Sequence, residues 1–271
     1  MMQDLFELGR ACLATCDPVE KVACTQQAAH LLRDAACRLD PTAAAVRVDA
    51  PGRPARPLLV HHSKLARRKL GNLEGRTAFI HALAHIEFNA INLAWDAVLR
   101  FRGLPADFYH DWVGVAAEEA LHFSLLDARL HELDSEYGAF PAHDGLWEMA
   151  AKTADDVLVR MALVPRVLEA RGLDVTPGMI RRLQQTGDTG TVAILERIYA
   201  DEIGHVQIGS HWYRYLCRER GLKPAATFRE LLADYQLERF KPPLNMLARA
   251  QAGFDPEELE MLGSMAGQDK A

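Results

Sequence analysis

Apolar residues recur every three to four positions along four long stretches of the chain, which is the spacing of a buried helix face. The stretches are 27 to 31 residues long and cover 74–102, 107–137, 145–171 and 191–220. Each is followed closely by a glycine that favours a helix end: Gly103, Gly138, Gly172 and Gly221. Four helices of matched length predict a four-helix bundle.

The remainder of the chain predicts short helices and one extended region. Residues 1–39 favour two short helices that meet near residues 17–18, and 45–48 is a short stretch with strand character. Residues 40–71 contain four prolines and no helical periodicity, which indicates an extended segment that wraps the domain. A shorter helix is predicted near 177–185, and two more in 225–265, around residues 241–243. We also expect Pro165 to kink the third long helix.

These elements predict an all-α fold in a single domain that spans residues 1–271. In this prediction, residues 1–71 supply the N-terminal helices and the wrapping segment, and 72–222 form the bundle. Residues 223–271 add short C-terminal accessory helices.

Composition narrows the class of protein. The chain has 271 residues, of which 49% are hydrophobic and 25% charged, as is ordinary for a globular protein. A net charge of −6 argues mildly against a partner that is mainly a phosphate backbone.

Five cysteines without CxxC spacing predict reduced thiols. Since no window approaches the ~20 apolar residues of a membrane span, and no signal peptide is evident, we expect a cytoplasmic protein that does not bind membranes.

Each long helix carries an acid where its apolar stripe should be continuous. Glu87, Glu119, Glu169 and Glu202 fall on the same faces as aliphatic neighbours three and four residues away. An isolated carboxylate in an apolar core is very unfavourable. Four such acids therefore require protonation, pairing or a metal ion.

Two of these acids begin a Glu-x-x-His motif, which sets a carboxylate and an imidazole one helical turn apart. The motifs are Glu119 to His122 and Glu202 to His205, and a further Glu lies 32 or 33 residues before each. One such motif is expected about once by chance in a chain of this size, and alone would indicate a solvated helix face. The repetition of the whole set after 82 to 83 residues indicates two copies of one metal-binding helix hairpin.

This set resembles the ligands of the ferritin-like di-iron or di-manganese carboxylate proteins, over about residues 74 to 220. The resemblance implies that Glu119 and Glu202 bridge two metal ions. Glu87 and His122 would complete the ligand set of one ion, and Glu169 and His205 would complete that of the other. Carboxylate and imidazole ligands suit iron or manganese better than zinc, so we expect two Fe or Mn ions per chain.

Three further residues are candidates for supporting roles. In many oxygen-activating members of that superfamily, an acid beside the bridging Glu orients the histidine of the other hairpin, which would pair Asp201 with His122 and Glu118 with His205. The alternative for both is a surface acid beside a buried one. Tyr199, one turn before Glu202, is a candidate for redox chemistry, the alternative being a core tyrosine with a hydrogen-bonded hydroxyl.

The histidines of the first long helix outside the motif predict a structural role. His81 and His85 lie six and two residues before Glu87, so they fall away from its face. We expect them to be buried or surface side chains that do not bind metal.

The wrapping segment has a charge of its own. Residues 51–70 contain six basic residues and no acid: Arg53, Arg56, Lys64, Arg67, Arg68 and Lys69. A solvated loop is one interpretation, and contact with an anionic substrate or with RNA is the other. The order of this segment and the accessory helices also resembles an uncharacterised ferritin-like family near the tRNA hydroxylase MiaE.

These resemblances imply an oxidase or hydroxylase that activates O2 at two metal ions and oxidises a small molecule or a modified nucleoside, with tRNA as an open alternative. Because no CxxC pair or GxGxxG motif is present, electrons would come from a separate donor. A different class is an iron-binding ferroxidase or storage protein, although about 70 residues before the bundle and 50 after it would obstruct a storage cage. A third is a metal-binding structural protein without turnover. The residues that bind the substrate are not predicted.

Overall fold

Two long helices joined by a short loop lie in the first part of the chain. α3 covers Leu73–Arg100 and α4 covers Ala106–Glu132, and the loop between them is five residues long. The side chain of Asn72 caps the start of α3 by accepting a hydrogen bond from the Gly75 amide at 2.8 Å. The predicted helix 107–137 ends early, because the chain turns at Asp134, whose φ is 54°.

The computed structural model describes residues 2–66 and 69–267. The chain divides into two compact units, Met1–Ala151 and Lys152–Ala271. In the described residues, strand is limited to the parallel pair β1, Gln3–Asp4, and β2, Cys37–Arg38. The all-α fold class is therefore confirmed, whereas the four-helix bundle and the domain boundaries stay predictions.

The N-terminal helices of the first unit are α1, Leu5–Ala14, and α2, Pro18–Arg33, as the sequence predicts. The aspartate before each one caps it by accepting hydrogen bonds from backbone amides of the first turn. The end of α1 is capped by the buried ammonium of Lys21, which donates to the carbonyls of Cys12 and Leu13 at 2.9 and 3.0 Å. The same ammonium donates to Asn92 of α3 at 2.7 Å, so one side chain ties three helices together.

The described residues of the proline-rich segment, 40–66 and 69–71, are largely irregular and include a short 3-10 turn at His62–Lys64. Its backbone bonds to several elements of the first unit, with Val46 donating to Leu99 and Gly52 to Leu13. Residues 45–48, the short stretch with strand character, form no strand, and Val46 bonds to the end of α3. Arg67 and Arg68 of the basic segment lie outside the described residues.

The predicted helix 145–171 is wrong as one element. It is divided into α5, Gly145–Lys152, then α6, Val157–Leu163, and then a π-helix, Val164–Glu169. The break before α6 follows from Asp156, which caps α6 by accepting from the Leu158 amide at 2.8 Å. The expected kink at Pro165 takes the form of the π-helix, as proline cannot donate the usual helical hydrogen bond.

The rest of the second unit is helical. α7 covers Ala170–Gln184 and α8 covers Thr189–Glu219, where the sequence predicts helices at 177–185 and 191–220. The C-terminal region forms three helices instead of the two predicted: α9, Pro224–Asp234, α10, Met246–Gln251, and α11, Pro256–Gly267. Within the described residues, no helix combines the length and apolar character needed to cross a membrane.

Two fully buried ion pairs hold the second unit together. Arg166 of the π-helix contacts Glu258 of α11 at 2.6 Å, and its guanidinium lies over the rings of Tyr213, Phe228 and Phe254. Arg249 of α10 pairs with Asp174 of α7 at 2.7 Å. Burying such charges is favourable only with close counter-charges, so these pairs fix how the C-terminal helices pack on the π-helix and α7.

The π-helix lies unusually close to α8. A Cβ atom added to Gly209 would lie 2.3 Å from Cβ and Cγ of Pro165. No side chain fits in that space without moving the π-helix or α8. Gly209 therefore sets the position of the segment that ends at Glu169.

We expect Gly209→Ala to lower the free energy of unfolding by about 1–3 kcal/mol, because the added methyl group overpacks this contact. Gly172→Ala in α7 is the matched control, since a Cβ at that position has no neighbour within 4 Å. The control should be neutral or stabilising by up to about 1 kcal/mol, as alanine has the higher helix propensity. Urea unfolding measures both, and equal stability of the two variants would contradict the assignment.

Candidate metal centre

Three of the predicted ligands come together inside the first unit. Glu87 of α3 and Glu119 and His122 of α4 are buried, with 5%, 0% and 0% of their surface exposed. Nδ1 of His122 lies 3.4 Å from Oε2 of Glu119 and 3.7 Å from Oε2 of Glu87. Each of the three offers a ligand atom within 4.8 Å of the others. The three side chains therefore lie together as a buried cluster that could hold a metal ion, and their role as ligands stays a prediction.

The packing of α3 on α4 positions these side chains. Within α4, the three-residue spacing sets Glu119 and His122 on one face. Next to them, the rings of Phe88 and Phe123 pack with their centres 5.6 Å apart. The polar cluster therefore lies in an apolar interface, where electrostatic interactions are stronger than in water.

The proton on His122 reflects this environment. Burial alone would lower the pKa of the imidazole, but hydrogen bonds and charge interactions with Glu119 and Glu87 raise it to about 11. At neutral pH and without metal, His122 is an imidazolium that partly balances the two carboxylates. Its stabilising effect on the metal-free fold is complete below pH 6.5, and it is lost as the pH rises through about 11.

The other three predicted ligands belong to the second unit. Glu202 and His205 lie on α8, with Nδ1 of His205 3.4 Å from Oε1 of Glu202. The His205 side chain is buried and that of Glu202 is 14% exposed. Glu169 is half-buried and is the last residue of the π-helix. The second Glu-x-x-His motif therefore has the same local geometry as the first.

The candidates for supporting roles have the following positions. Glu118 is exposed on α4, while Asp201 is half-buried and accepts a hydrogen bond from Arg197 at 2.6 Å. Tyr199 is half-buried, and its hydroxyl accepts a hydrogen bond from the Asn245 side chain at 2.9 Å. The pairings of Asp201 and Glu118 with ligand histidines, and a redox role for Tyr199, stay predictions.

The first unit also contains a polar network that the sequence did not indicate. His85 Nδ1 lies 2.8 Å from the hydroxyl of Tyr137, and His85 Nε2 lies 3.2 Å from the carbonyl of His143. Burial is the main cause that lowers the pKa of His85 to about 4, so this ring is neutral at physiological pH. His81 is also buried, and its Nε2 accepts from the Gly138 amide. Because the residues are over 50 positions apart, no local motif could have revealed the network.

A small cavity adjoins this network. It has a volume of about 210 Å³ and is lined by Arg53, His85, Phe88, Tyr137 and residues of the proline-rich segment. Arg53 is held by an ion pair with Asp144, with N···O distances of 2.5 and 2.8 Å. The cavity is smaller than the roughly 300–1,000 Å³ typical of sites for drug-sized ligands. It could therefore hold a small molecule against a largely apolar wall.

Comparison with known proteins gives the relationships of this chain. Residues 14–260 match a family described as Protein of unknown function (DUF455). The chain belongs to this family. It is similar to an uncharacterized protein of Haemophilus influenzae (strain ATCC 51907 / DSM 11121 / KW20 / Rd), with 50% identity over 216 residues. That match covers 77% of this chain and 75% of the relative, whereas no solved structure matches.

The chemistry of this DUF455 site fits a metal ion. Glu87, Glu119 and His122 provide carboxylate oxygens and an imidazole nitrogen, which together suit first-row divalent metals. The three are buried and close enough to bind one ion.

Metal binding should release the proton of His122, since a ligating imidazole nitrogen must be unprotonated. We expect the heat of Mn²⁺ binding at pH 7 to vary with the ionisation enthalpy of the buffer, and affinity to rise with pH. Isothermal titration calorimetry in phosphate and in Tris measures this. His122→Gln should release fewer protons than the unmodified chain, and a binding heat that is independent of the buffer would contradict the assigned protonation.

Proposed function

We propose that this protein is a di-iron or di-manganese carboxylate oxidase or hydroxylase. The observation that carries the proposal is the buried set of Glu87, Glu119 and His122, because carboxylate oxygens and an imidazole nitrogen within 4.8 Å of one another form a ligand set for a divalent metal ion. The proposed ligands of the second ion are Glu169, Glu202 and His205. The fold would then be a ferritin-like bundle over residues 72–222.

The repeat of the motif supports two ions instead of one. Each unit has one Glu-x-x-His, and in each the imidazole Nδ1 lies 3.4 Å from the carboxylate of its own motif. In each sequence copy, the additional glutamate lies 32 or 33 residues before the motif. We propose that Glu119 and Glu202 bridge the ions, with Asp201 and Glu118 orienting the ligand histidines from outside.

Iron or manganese fits this donor set. When bound, a pair of such ions supplies the redox chemistry of O2 reduction. The chain's own residues would hold the ions, and the burial of Glu87 and Glu119 between α3 and α4 excludes bulk water from these two carboxylates. Exclusion of water strengthens the attraction between the carboxylates and the cations.

We propose a small organic molecule as the substrate. The 210 Å³ cavity is lined by Phe88, the residue that follows Glu87 in the sequence, and its volume suits a small ligand better than a nucleoside in tRNA. The basic segment 51–70 supports tRNA less than its charge suggests, because Arg53 is already paired with Asp144. The proposal also requires a separate electron donor.

The metal assignment can be tested by replacing Glu119. We expect the purified protein to contain about two Fe or Mn ions per chain, and Glu119→Ala to lose most of them because a shared ligand is removed. Glu132→Ala is the matched control, since this residue lies on the same helix and its side chain is 64% exposed. Elemental analysis with circular dichroism measures metal content and folding. Full metal content in a folded Glu119→Ala chain would overturn the assignment.

Oxygen uptake can separate an oxidase from a storage protein. We expect the anaerobically reduced iron form to consume O2 on exposure to air in proportion to its bound iron, and excess Fe²⁺ not to sustain uptake. An oxygen electrode measures this, and size-exclusion chromatography reports the assembly. Sustained oxidation of excess Fe²⁺ by a cage-sized assembly would favour the ferroxidase alternative. No uptake by the iron-loaded protein would favour a structural metal site.

A further inference from the structure

The 210 Å³ cavity of the first unit has mostly apolar walls. Prolines and leucines of the proline-rich segment and the ring of Phe88 form much of its surface. Leu58 and Leu59 in this lining are exposed, so the apolar wall reaches the surface of the protein. Arg53 also lines the cavity, but Asp144 engages both of its terminal nitrogens. The cavity therefore presents an apolar surface with little net charge.

Hydrogen bonds around His85 decide how the hydroxyl of Tyr137 is used. The side-chain nitrogen of Asn89 donates to the His85 carbonyl at 2.8 Å, and it lies 3.0 Å from Nε2 of the same residue. Because an amide nitrogen can only donate, Nε2 is the acceptor and the ring proton lies on Nδ1. Nδ1 then donates to the hydroxyl oxygen of Tyr137 at 2.8 Å. In this tautomer, the longer 3.2 Å contact between Nε2 and the His143 carbonyl is not a hydrogen bond.

The proton of the Tyr137 hydroxyl is left for a ligand. The hydroxyl accepts from His85, and no acceptor for its own proton lies among the residues that the structure describes. Tyr137 lines the cavity, and its ring is held in place by Phe88 and Phe123, with ring centres 5.5 and 5.1 Å away. Burial raises the pKa of Tyr137, so the hydroxyl keeps its proton at physiological pH. An oxygen atom of a ligand could therefore replace water as the partner of this donor.

We propose that this cavity binds a small neutral molecule with an apolar body and a carbonyl oxygen, and that the carbonyl accepts a hydrogen bond from Tyr137. The apolar walls cover the body of the ligand, and the single donor fixes its orientation, as is usual in sites for small molecules. A carboxylate fits less well, because Asp144 already neutralises Arg53 and the described lining adds no second cation. The inference rests on the proposed function only in naming this ligand as the substrate of the metal centre.

Three aromatic probes of similar size test this chemistry. Acetophenone carries a neutral carbonyl, ethylbenzene has nearly the same shape without an oxygen, and benzoate carries a negative charge. Saturation-transfer NMR titrations with the full-length protein measure the dissociation constant of each probe. We expect acetophenone to bind more tightly than benzoate. Tighter binding of benzoate, or no binding of acetophenone, would overturn the proposal.

Tyr137→Phe removes the hydroxyl and keeps the ring. We expect this change to weaken the binding of acetophenone roughly fivefold and to alter that of ethylbenzene by no more than about twofold, because only the ketone uses the lost donor. Tyr109→Phe is the matched control, since Tyr109 is a buried tyrosine of the same unit whose hydroxyl donates to the Phe101 carbonyl at 3.2 Å. The control should change the affinity of neither probe. If Tyr137→Phe weakens both probes equally, or neither, the assigned hydrogen bond is wrong.

A second measurement needs only the unmodified chain. The NMR signal of acetophenone labelled at its carbonyl carbon should lie downfield of its position in hexane when the probe is bound, because a hydrogen bond polarises the carbonyl. A bound signal at the hexane position would overturn the proposal even if the Tyr137→Phe chain does not fold.

Metal content separates this result from a failure of the proposed function. Binding of acetophenone by a chain whose Glu119→Ala variant keeps all of its metal would support the cavity and overturn the metal assignment. A metal-loaded chain that does not bind acetophenone would overturn the inference about the cavity and leave the metal assignment in place.

Discussion

Charge buried among apolar side chains is the constraint on which the structure depends. Glu87, Glu119 and His122 occupy the interface of α3 and α4, where an unbalanced carboxylate would cost several kcal/mol. The spacing of residues along α4 and the packing of α3 on α4 reduce this cost. The three-residue spacing along α4 places His122 beside Glu119. The packing of α3 on α4 places Glu87 within 3.7 Å of Nδ1 of His122. The packing that forms the core of the first unit therefore also assembles the candidate ligands.

The same constraint governs the second unit, where buried acids pair with arginines. Arg166 and Glu258 are both fully buried, and the guanidinium is further stabilised by three aromatic rings. This pair ties α11 to the π-helix, whose last residue is Glu169. On the other side, Gly209 of α8 allows Pro165 to approach without a clash. The π-helix thus has a defined position, because the Arg166–Glu258 ion pair and the contact of Pro165 with Gly209 both restrain it.

The sequence predicts features that depend on local spacing and misses those that depend on distant contacts. The apolar periodicity locates α3 and α8 to within about two residues, and the Glu-x-x-His spacing predicts the contact of Glu119 with His122. The prediction from apolar periodicity is wrong at 145–171, because the periodicity continues across a break that the Asp156 cap creates. The partner of Arg166 is far along the chain, so no pattern within a helix could indicate it. The His85 network was missed for the same reason.

Charge balance explains why the proposed site should prefer metal ions to protons. In the metal-free first unit, the imidazolium of His122 lies within 3.7 Å of the Glu87 and Glu119 side chains, so one positive charge faces two acids. A divalent ion with a neutral imidazole would bring two positive charges to the same two acids. With the proposed second set, four glutamates would balance two divalent ions. Burial penalises residual charge, so the apolar packing itself would favour the form with two metal ions.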